Sequence, residues 1–211
     1  ESLSLFLPRL GIQGTLLAGS GFPGKTFWSA ALLSDAGLSD DGELATQRPG
    51  VSSGFFAGQL GLTTLQPLPF VEGMGLYLNL SAQVANDPLP TSIQKTIGGA
   101  RTVRGYHERE AFGDNGFHLN AEFRLPPFKS NVSVLKGSFQ PLFFYDYGYV
   151  SSEYSMSTSG DSVGMQSFGA GMIGTFKHGF NFGLHVGVPI ETTPQTDERK
   201  ARAHLDLNYR F

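Results

Sequence analysis

The sequence predicts an all-β protein, an antiparallel transmembrane β-barrel, and three observations carry this prediction. Nine or ten segments of about ten residues alternate apolar with polar side chains, as strands with one apolar face do. Short turns between these segments alternate with long polar loops, an asymmetry typical of barrels in bacterial outer membranes. Glycine (28 residues), Phe (18) and Tyr (7) are abundant, whereas charged residues make up only 16% of the chain.

Composition also excludes several classes of protein. The formal net charge is -3 and the basic residues are dispersed, so we expect no nucleic-acid partner. The chain has no cysteine, which excludes disulfides and thiolate metal sites. No apolar run approaches the roughly 18 residues of a spanning helix, which excludes a helical membrane protein. Because the chain begins at Glu1 without a signal peptide, we expect a processed or truncated product.

The first half of the chain contains three clear strand patterns and one ambiguous one. Residues 2–7 and 12–18 alternate, but Pro8 and Gly11 lie between them, so one bent strand and two strands both remain open. The clear strands are predicted at 26–34, 54–66 and 74–84. In the last of these, six apolar residues occupy every second position. The polar segment 35–53 carries turn formers, which predicts a solvent-exposed loop.

The second half contains five more strand patterns. They are predicted at 117–125, 138–150, 165–176, 180–190 and 201–211, with loops at 151–164 and 191–200. The strand at 138–150 carries a Tyr-rich face that suits the aromatic belt at a membrane interface. The strand at 165–176 contains so many glycines that its two faces are poorly distinguished.

The longest predicted loop, 86–115, contains the sequence IGGARTVRGY at positions 97–106. Its glycines, Gly98 and Gly99 among them, permit a sharply turned backbone. A loop of this length is more often functional or disordered than a passive connection. We therefore predict a loop tip that occupies a particular place in the fold. The tip consists of Val103, Arg104, Gly105 and Tyr106.

This tip resembles the VRGY loop of the Omp85 superfamily, in particular of the two-partner-secretion transporters called TpsB, the haemolysin secretion/activation type. The resemblance continues in order through Gly113, Asp114 and Gly116, a strand with Glu122, the pair Phe144 and Asp146, and a terminal Phe211. The glycine-aspartate stretch before the strand favours the TpsB branch over the insertase branch. The resemblance implies that residues 1–211 form the C-terminal part of a barrel of about sixteen strands. Nothing among them resembles a POTRA domain.

The resemblance also implies a site inside the barrel. In the family the loop arginine pairs with an acidic residue on the inward face of a neighbouring strand, here Arg104 with Asp146. The alternation independently places Phe144 and Asp146 on the face turned away from lipid. Glu122 is a second candidate, since a guanidinium can bind two carboxylate oxygens at once. The pair either anchors the loop in a state that substrate can disturb, or is a static ion pair needed only for assembly.

The remaining residues of the motif are assigned simpler roles. Val103 and Tyr106 are expected to pack rather than to contact substrate. The aromatic residues Tyr209 and Phe211 resemble the C-terminal signal by which barrels are recognised for assembly. Strand glycines at 169–174 are expected where backbone or a loop packs closely.

No pattern in the sequence points to catalysis or to a bound cofactor. The five histidines, at positions 107, 118, 178, 185 and 204, lack metal-ligand spacing. The chain has no Gly-x-Ser-x-Gly elbow, and its glycine-rich stretches lack the Lys and Ser/Thr of a phosphate loop. We therefore expect no catalytic, cofactor or metal residues and no enzymatic activity.

The function implied by the resemblance is a pore in the bacterial outer membrane that exports a partner exoprotein in unfolded form. Its expected partners are that exoprotein, outer-membrane lipids and the barrel-assembly machinery. Two alternatives remain open: a short Omp85-type barrel that assembles membrane proteins, and a barrel that shares the loop but acts as a hydrolase or ligand binder. An unclosed sheet would leave unsatisfied edges in lipid, so nine or ten strands are expected to need others.

Overall fold

The fold is given by a computed structural model that describes residues 6–16, 24–130, 136–153, 162–176 and 179–209. The predicted terminal Phe211, most of the predicted strand at 2–7 and part of the loop at 151–164 lie outside these residues. Neither helical segment of the described chain has the length and apolar character that a membrane-crossing helix needs.

The described residues form twelve strands, one α-helix and one short 3₁₀ turn. In chain order they are β1 (Arg9–Leu16), β2 (Lys25–Ser34), α1 (Asp41–Gln47), β3 (Phe56–Pro67), β4 (Gly75–Ala85), the 3₁₀ turn (Thr91–Ile93), β5 (Lys95–Ile97), β6 (Ala111–Gly113), β7 (Asn115–Arg124), β8 (Phe128–Ser130), β9 (Gly137–Ser151), β10 (Ser162–Phe176), β11 (Phe180–Pro189) and β12 (Arg202–Tyr209).

Nine of these strands make one continuous antiparallel sheet in the order β1-β2-β3-β4-β7-β9-β10-β11-β12, and the short β8 pairs with β9. A separate hairpin, β5–β6, interrupts the sequence order between β4 and β7. This arrangement confirms the predicted all-β antiparallel architecture. Strands β1 and β12 lie at the two ends of the sheet, so the sheet is not closed within the described residues.

The polarity of the two faces of the sheet is reversed relative to a water-soluble protein: polar side chains are buried and apolar side chains are exposed. On β7, His118, Asn120 and Glu122 are buried, whereas Phe123 on the opposite face is exposed. The register carries the apolar face across the sheet, because Leu78 pairs with Ala121 and Phe123 with Phe143. Large exposed side chains on this face include Leu10, Leu32, Leu60, Leu62, Leu78, Phe143, Phe168, Leu184 and Leu205. An apolar outer face and a polar inner face are those of a transmembrane barrel.

Phenylalanine rings gather where the sheet has its short turns. Phe139 lies 5.7 Å from Phe128, 5.6 Å from Phe176 and 6.0 Å from Phe182, measured between ring centroids. Phe176 also contacts Phe180 at 5.5 Å. Aromatic girdles of this kind flank the apolar band of outer-membrane barrels.

The prediction of a solvent-exposed loop at 35–53 is wrong in part, because this segment contains α1 and two residues of a buried cluster. Asp40 caps the helix by accepting a hydrogen bond from the Glu43 N–H. The helix is too short to show an apolar period, and its one buried residue is Leu44. The cluster consists of Leu44, Val51, Phe55, Ala57 and Leu89.

The loop at 86–115 folds back onto the inner face of the sheet. Its β5–β6 hairpin holds the base of the loop, and its apolar residues form a second buried cluster with the sheet. The cluster consists of Ile97, Val103, Tyr106, Ala111, Val150 and Met165. The long connections, including α1 and this loop, all lie at the end of the sheet opposite the short turns. The polar inner face is therefore covered by the chain's own longest loop.

Because the outer face is apolar and the inner face polar, a substitution to arginine should lower stability much more on the outer face than at a similar depth on the inner face. Leu62 is exposed on the outer face in the middle of β3, and Gln13 lies on the inner face of β1. In lipid vesicles, Leu62→Arg should lower the free energy of unfolding in urea by about 2–4 kcal/mol. Gln13→Arg should change it by less than about 0.5 kcal/mol. Equal losses for the two variants would contradict the assignment of the faces.

Candidate functional site

The VRGY tip is buried against the inner face of the sheet. Val103 and Tyr106 are both fully buried, and they pack with residues of β9 and β10. Gly148 on β9 makes room for the tip, because a Cβ at this position would lie 2.7 Å from Val103 Cγ2. The tip is thus seated in a space that only a glycine at position 148 leaves open.

Main chain packs directly on main chain at Gly105. A Cβ added to Gly187 on β11 would lie 2.6 Å from the Gly105 nitrogen, and Gly105 itself has a φ of +96°, which L side chains rarely adopt. The Gly105 N–H donates to Nε2 of His204 on β12 at 3.0 Å. These contacts fix the tip across two strands without using its side chains.

Arg104 is bound to Asp146 of β9 through three hydrogen bonds. Its backbone N–H donates to Oδ2 at 3.0 Å, its Nε donates to the same oxygen at 2.7 Å, and its Nη2 donates to Oδ1 at 2.7 Å. The fourth donor group, Nη1, reaches Oε1 of Glu122 on β7 at 2.8 Å. The guanidinium therefore bridges two neighbouring strands, and each bond is charge-assisted.

Aromatic and cationic side chains complete the surroundings of Arg104. Its Cζ lies 3.6 Å from the centre of the Phe144 ring, a cation–π contact, and Phe144 in turn covers Gly169, where a Cβ would meet the ring at 2.5 Å. The second oxygen of Glu122 accepts from Nη2 of Arg124 at 2.8 Å. Two arginines and two carboxylates thus form a charge-balanced cluster.

The protonation of Arg104 is set by these neighbours. Burial alone would lower the pKa of Arg104, but the hydrogen bonds and charges of Asp146 and Glu122 raise it above its usual value. The guanidinium consequently stays charged in its buried position.

Asn120 also links the tip of the loop to the Asp146 carboxylate. Nδ2 of Asn120 on β7 donates to Oδ1 of Asp146 at 2.9 Å and also to the carbonyl oxygen of Thr102. Asp146 therefore accepts from Arg104 and Asn120 together. This set of bonds satisfies a carboxylate that has no exposure to solvent.

Tyr106 does more than pack, because its hydroxyl joins the tip to the last long connection. The hydroxyl oxygen lies 3.0 Å from the carbonyl oxygen of Gln166 and 2.9 Å from that of Glu191. Glu110 of the same loop accepts from the Thr196 hydroxyl at 2.6 Å and also from Thr193. The 86–115 loop and the connection before β12 therefore form one hydrogen-bonded unit.

A second buried ion pair holds the base of the loop, and the sequence did not reveal it. Arg48, which follows α1, donates from Nη2 to Oδ2 of Asp114 at 2.9 Å and from Nη1 to the carbonyl oxygen of Leu89 at 2.8 Å. Asp114 also accepts from the Leu89 N–H at 2.9 Å and from Nε2 of Gln94 at 3.0 Å. Asp114 lay within the resemblance, but nothing in the sequence connected it with Arg48, 66 positions earlier.

The other residues singled out from the sequence are not drawn into this site. Tyr209 is the last residue of β12 and is exposed, and Phe211 lies outside the described residues. Across the residues that the structure describes, no group of three or more His, Asp or Glu side chains could hold a metal ion. What the site offers is a set of ion pairs and hydrogen bonds that hold a loop inside the sheet.

Comparison with known proteins gives a family match over most of the chain. The family described as haemolysin secretion/activation protein ShlB/FhaC/HecB matches residues 14–172. The heme/hemopexin transporter protein HuxB of Haemophilus influenzae strain 86-028NP is 31% identical over 117 residues, which are 53% of this chain and 19% of that protein. HuxB of a second strain of the species is 29% identical over 120 residues. The match spans about a fifth of the length of these relatives.

A solved structure is similar in fold. CdiB from Escherichia coli superposes with a TM-score of 0.58 at 15% sequence identity, over 95% of this chain and 44% of that chain. At this identity the likeness shows the fold alone.

The unequal bonding of Arg104 predicts unequal effects of neutralising its two partners. Asp146→Asn should lower the free energy of unfolding by about 3–5 kcal/mol, since it leaves a buried guanidinium short of its main partner. Glu122→Gln should cost less, because it affects one bond from Arg104, and the other arginine that it leaves without a charge partner, Arg124, is partly exposed to solvent. Urea unfolding in lipid vesicles measures both losses. Trypsin cleavage after Arg104, which is buried while the loop is seated, reports release of the loop.

The matched control for this comparison is Asp197→Asn, which removes an exposed partner of Lys200. Its effect should lie below about 1 kcal/mol. Equal losses for Asp146→Asn and Glu122→Gln, with equal rates of cleavage, would show that the anchor is not centred on Asp146.

The second ion pair predicts a stability difference that depends on pH. Burial alone would raise the pKa of Asp114, but hydrogen bonds from Arg48 and from the backbone lower it below its ordinary value. The stabilisation is therefore complete above about pH 4 and is lost as the pH falls through the lowered pKa. Arg48→Ala should cost about 3 kcal/mol at pH 7 in urea unfolding, and progressively less as the pH is lowered from about 4 through the lowered pKa of Asp114. A loss that does not change with pH would contradict the assignment.

Proposed function

The chain belongs to the haemolysin secretion/activation protein family ShlB/FhaC/HecB, and from this premise we propose that it forms part of a pore that exports a partner polypeptide across the bacterial outer membrane. The polypeptide would cross in unfolded form. Two of its relatives are named heme/hemopexin transporter proteins, which is consistent with transport. Residues 1–211 would supply the C-terminal strands of the barrel, with the loop at 86–115 inside it.

One observation carries this proposal: the tip of the loop is held in the polar interior by an ion-paired arginine, beside the buried cluster around Val103 and Tyr106. Arg104 joins β7 and β9 through Glu122 and Asp146, and water or polar groups of a passing chain can replace such bonds. An ion-paired arginine can thus exchange its partners when the loop moves. The anchor is therefore suited to a channel that must be closed at rest and passable during export.

The outer face of the sheet supports placement in a membrane. Its exposed leucines and phenylalanines match the apolar band that faces outer-membrane lipids. In such barrels the long loops lie outside the cell and the short turns face the periplasm. The 86–115 loop would then enter the pore from the outside, and the barrel-assembly machinery would insert the strands.

We propose transport without a chemical reaction on the substrate. The charged groups around Arg104 are held by one another rather than left as a free nucleophile and base. Export would draw its energy from folding of the secreted polypeptide outside the cell, without a nucleotide.

The proposal predicts the effect of reversing the anchor charges. Arg104→Glu places a third carboxylate beside Asp146 and Glu122, and secretion of the co-expressed partner should fall by about tenfold or more. Asp146→Arg alone should be equally impaired. The double variant restores an ion pair beside Glu122 and should recover part of the secretion, although the 104 backbone N–H loses its acceptor. The secreted partner is measured in the culture medium.

Assembly is checked on the same samples by heat-modifiable gel mobility and surface protease treatment. If all three variants assemble normally and the double variant secretes no better than the single ones, the anchor has no part in export. If the single variants fail to assemble and the double variant assembles and secretes, the ion pair serves assembly only.

A further inference from the structure

The loop leaves a polar cavity beside it on the inner face of the sheet. This cavity has a volume of about 510 Å³ and lies between the loop and β1 to β4, with β7 at its edge. Two cations, Arg9 and Lys95, are among its lining residues. Among the lining residues that the structure describes, there is no Asp or Glu.

Lys95 is a half-buried cation without an acidic partner. Its Nζ donates to Oγ of Ser81 at 2.6 Å, and no described carboxylate lies within ion-pair distance of it. Because burial removes water and no negative charge replaces it, the pKa of Lys95 is lowered to about 8. An ammonium group that keeps unused donors in a water-poor place favours an anionic ligand.

His118 also lines the cavity and carries an unused donor, which lies within the wall rather than on the cavity surface. Its Nε2 lies 3.4 Å from Nδ2 of Asn79, which can only donate, so Nε2 accepts and the proton is on Nδ1. Nδ1 is buried and has no hydrogen-bond partner among the described residues. His118 as a whole is 93% buried, with an exposure of 7%. A buried N–H left unpaired is costly unless a ligand or water accepts from it.

Gln94, the residue before Lys95, carries an unused acceptor. Its Nε2 is held by Asp114 at 3.0 Å, which fixes the orientation of the amide. Its Oε1 is buried without a partner among the described residues. The cavity thus presents the Lys95 ammonium, with an unpaired N–H and an unpaired carbonyl buried in the wall around it. A carboxylate in the cavity would supply the negative charge that Lys95 lacks.

Resting on the export function proposed above, we propose that this cavity is a binding site for acidic side chains of the polypeptide in the pore, with Lys95 as the group that binds the carboxylate. The cavity is lined by Thr102 of the loop, next to the anchor. A chain bound there contacts the segment that carries Arg104.

A chain of hydrogen bonds connects the site with the anchor. Nδ2 of Asn79 donates to Nε2 of His118 at 3.4 Å and to Oδ1 of Asn120 at 3.1 Å, and Asn120 donates to Oδ1 of Asp146 at 2.9 Å. His118, in the wall of the cavity, lies at the far end of this chain. Binding of an acidic residue would therefore be felt at Asp146 through groups that already touch.

The test measures block of the ion current through the full-length protein in planar lipid bilayers. The probe is a synthetic peptide of glutamates, hexaglutamate, and hexaglutamine is the neutral control. Lys95→Gln should weaken the block by hexaglutamate about tenfold, because one charge-assisted contact is lost. Lys95→Arg should keep most of it. The matched control is Lys200→Gln, which removes an exposed lysine and should change nothing.

A second variant keeps the test decisive where Lys95→Gln fails to assemble. Ser81→Asp places a carboxylate of the protein itself beside the Lys95 ammonium and should abolish the block while heat-modifiable mobility is retained. Equal block of the original protein, Lys95→Gln and Ser81→Asp would overturn the proposal, as would equal block by hexaglutamine.

Because block of the current by a peptide requires no exported partner, the experiment tests the binding site independently of the proposed export function. A protein that shows Lys95-dependent block but secretes nothing would retain the site and lose the proposed function. A protein that secretes normally but shows no Lys95-dependent block would retain export and lose the site.

Discussion

The bond between Arg104 and Asp146 is the interaction on which the interior of this protein depends. Asp146 has no exposure to solvent and lies in the middle of β9, where an unpaired carboxylate would be very costly. Arg104 compensates this charge with three hydrogen bonds. It can do so only because the loop folds back onto the sheet and brings Arg104 beside a residue 42 positions later in the chain. The polar inner face and the loop are therefore stable only together. A buried pair of this kind gives position more reliably than it gives net stability.

Several other features follow from the need to bring the tip this close. Gly148, Gly187 and Gly105 lie where a side chain would strike the loop or the strand beneath it. Because these residues have no side chains, the main chain of the loop lies close enough to the sheet for Arg104 to reach both Glu122 on β7 and Asp146 on β9. The outer face supplies nothing to this interior. Its leucines are exposed, and its role is to match lipid rather than to form a core.

The strands could be predicted from the sequence because each has one apolar face, and a period of two persists through a lipid-facing sheet as it does through a core. The resemblance singled out Asp146 and Glu122 as partners of Arg104, and the structure brings all three together. Arg48 and α1 could not be predicted in this way. The helix is too short for a pattern, and Arg48 reaches Asp114 across 66 residues of sequence. The contact between Gly105 and Gly187 is likewise a property of the folded backbone, which no local pattern encodes.

The tip contacts the strands unevenly, and this has a mechanical consequence. It is bonded or packed against β7, β9, β10, β11 and β12, whereas β1 to β3 face the cavity and β4 reaches the tip only through Asn79 and Asn120. The tip braces one half of the sheet, whereas β4 in the other half is joined to the loop away from the tip, through Gln83 and through Ser81. Under a load from inside, the sheet would yield first along β1 to β3, so its elastic compliance would differ from one side of the loop to the other.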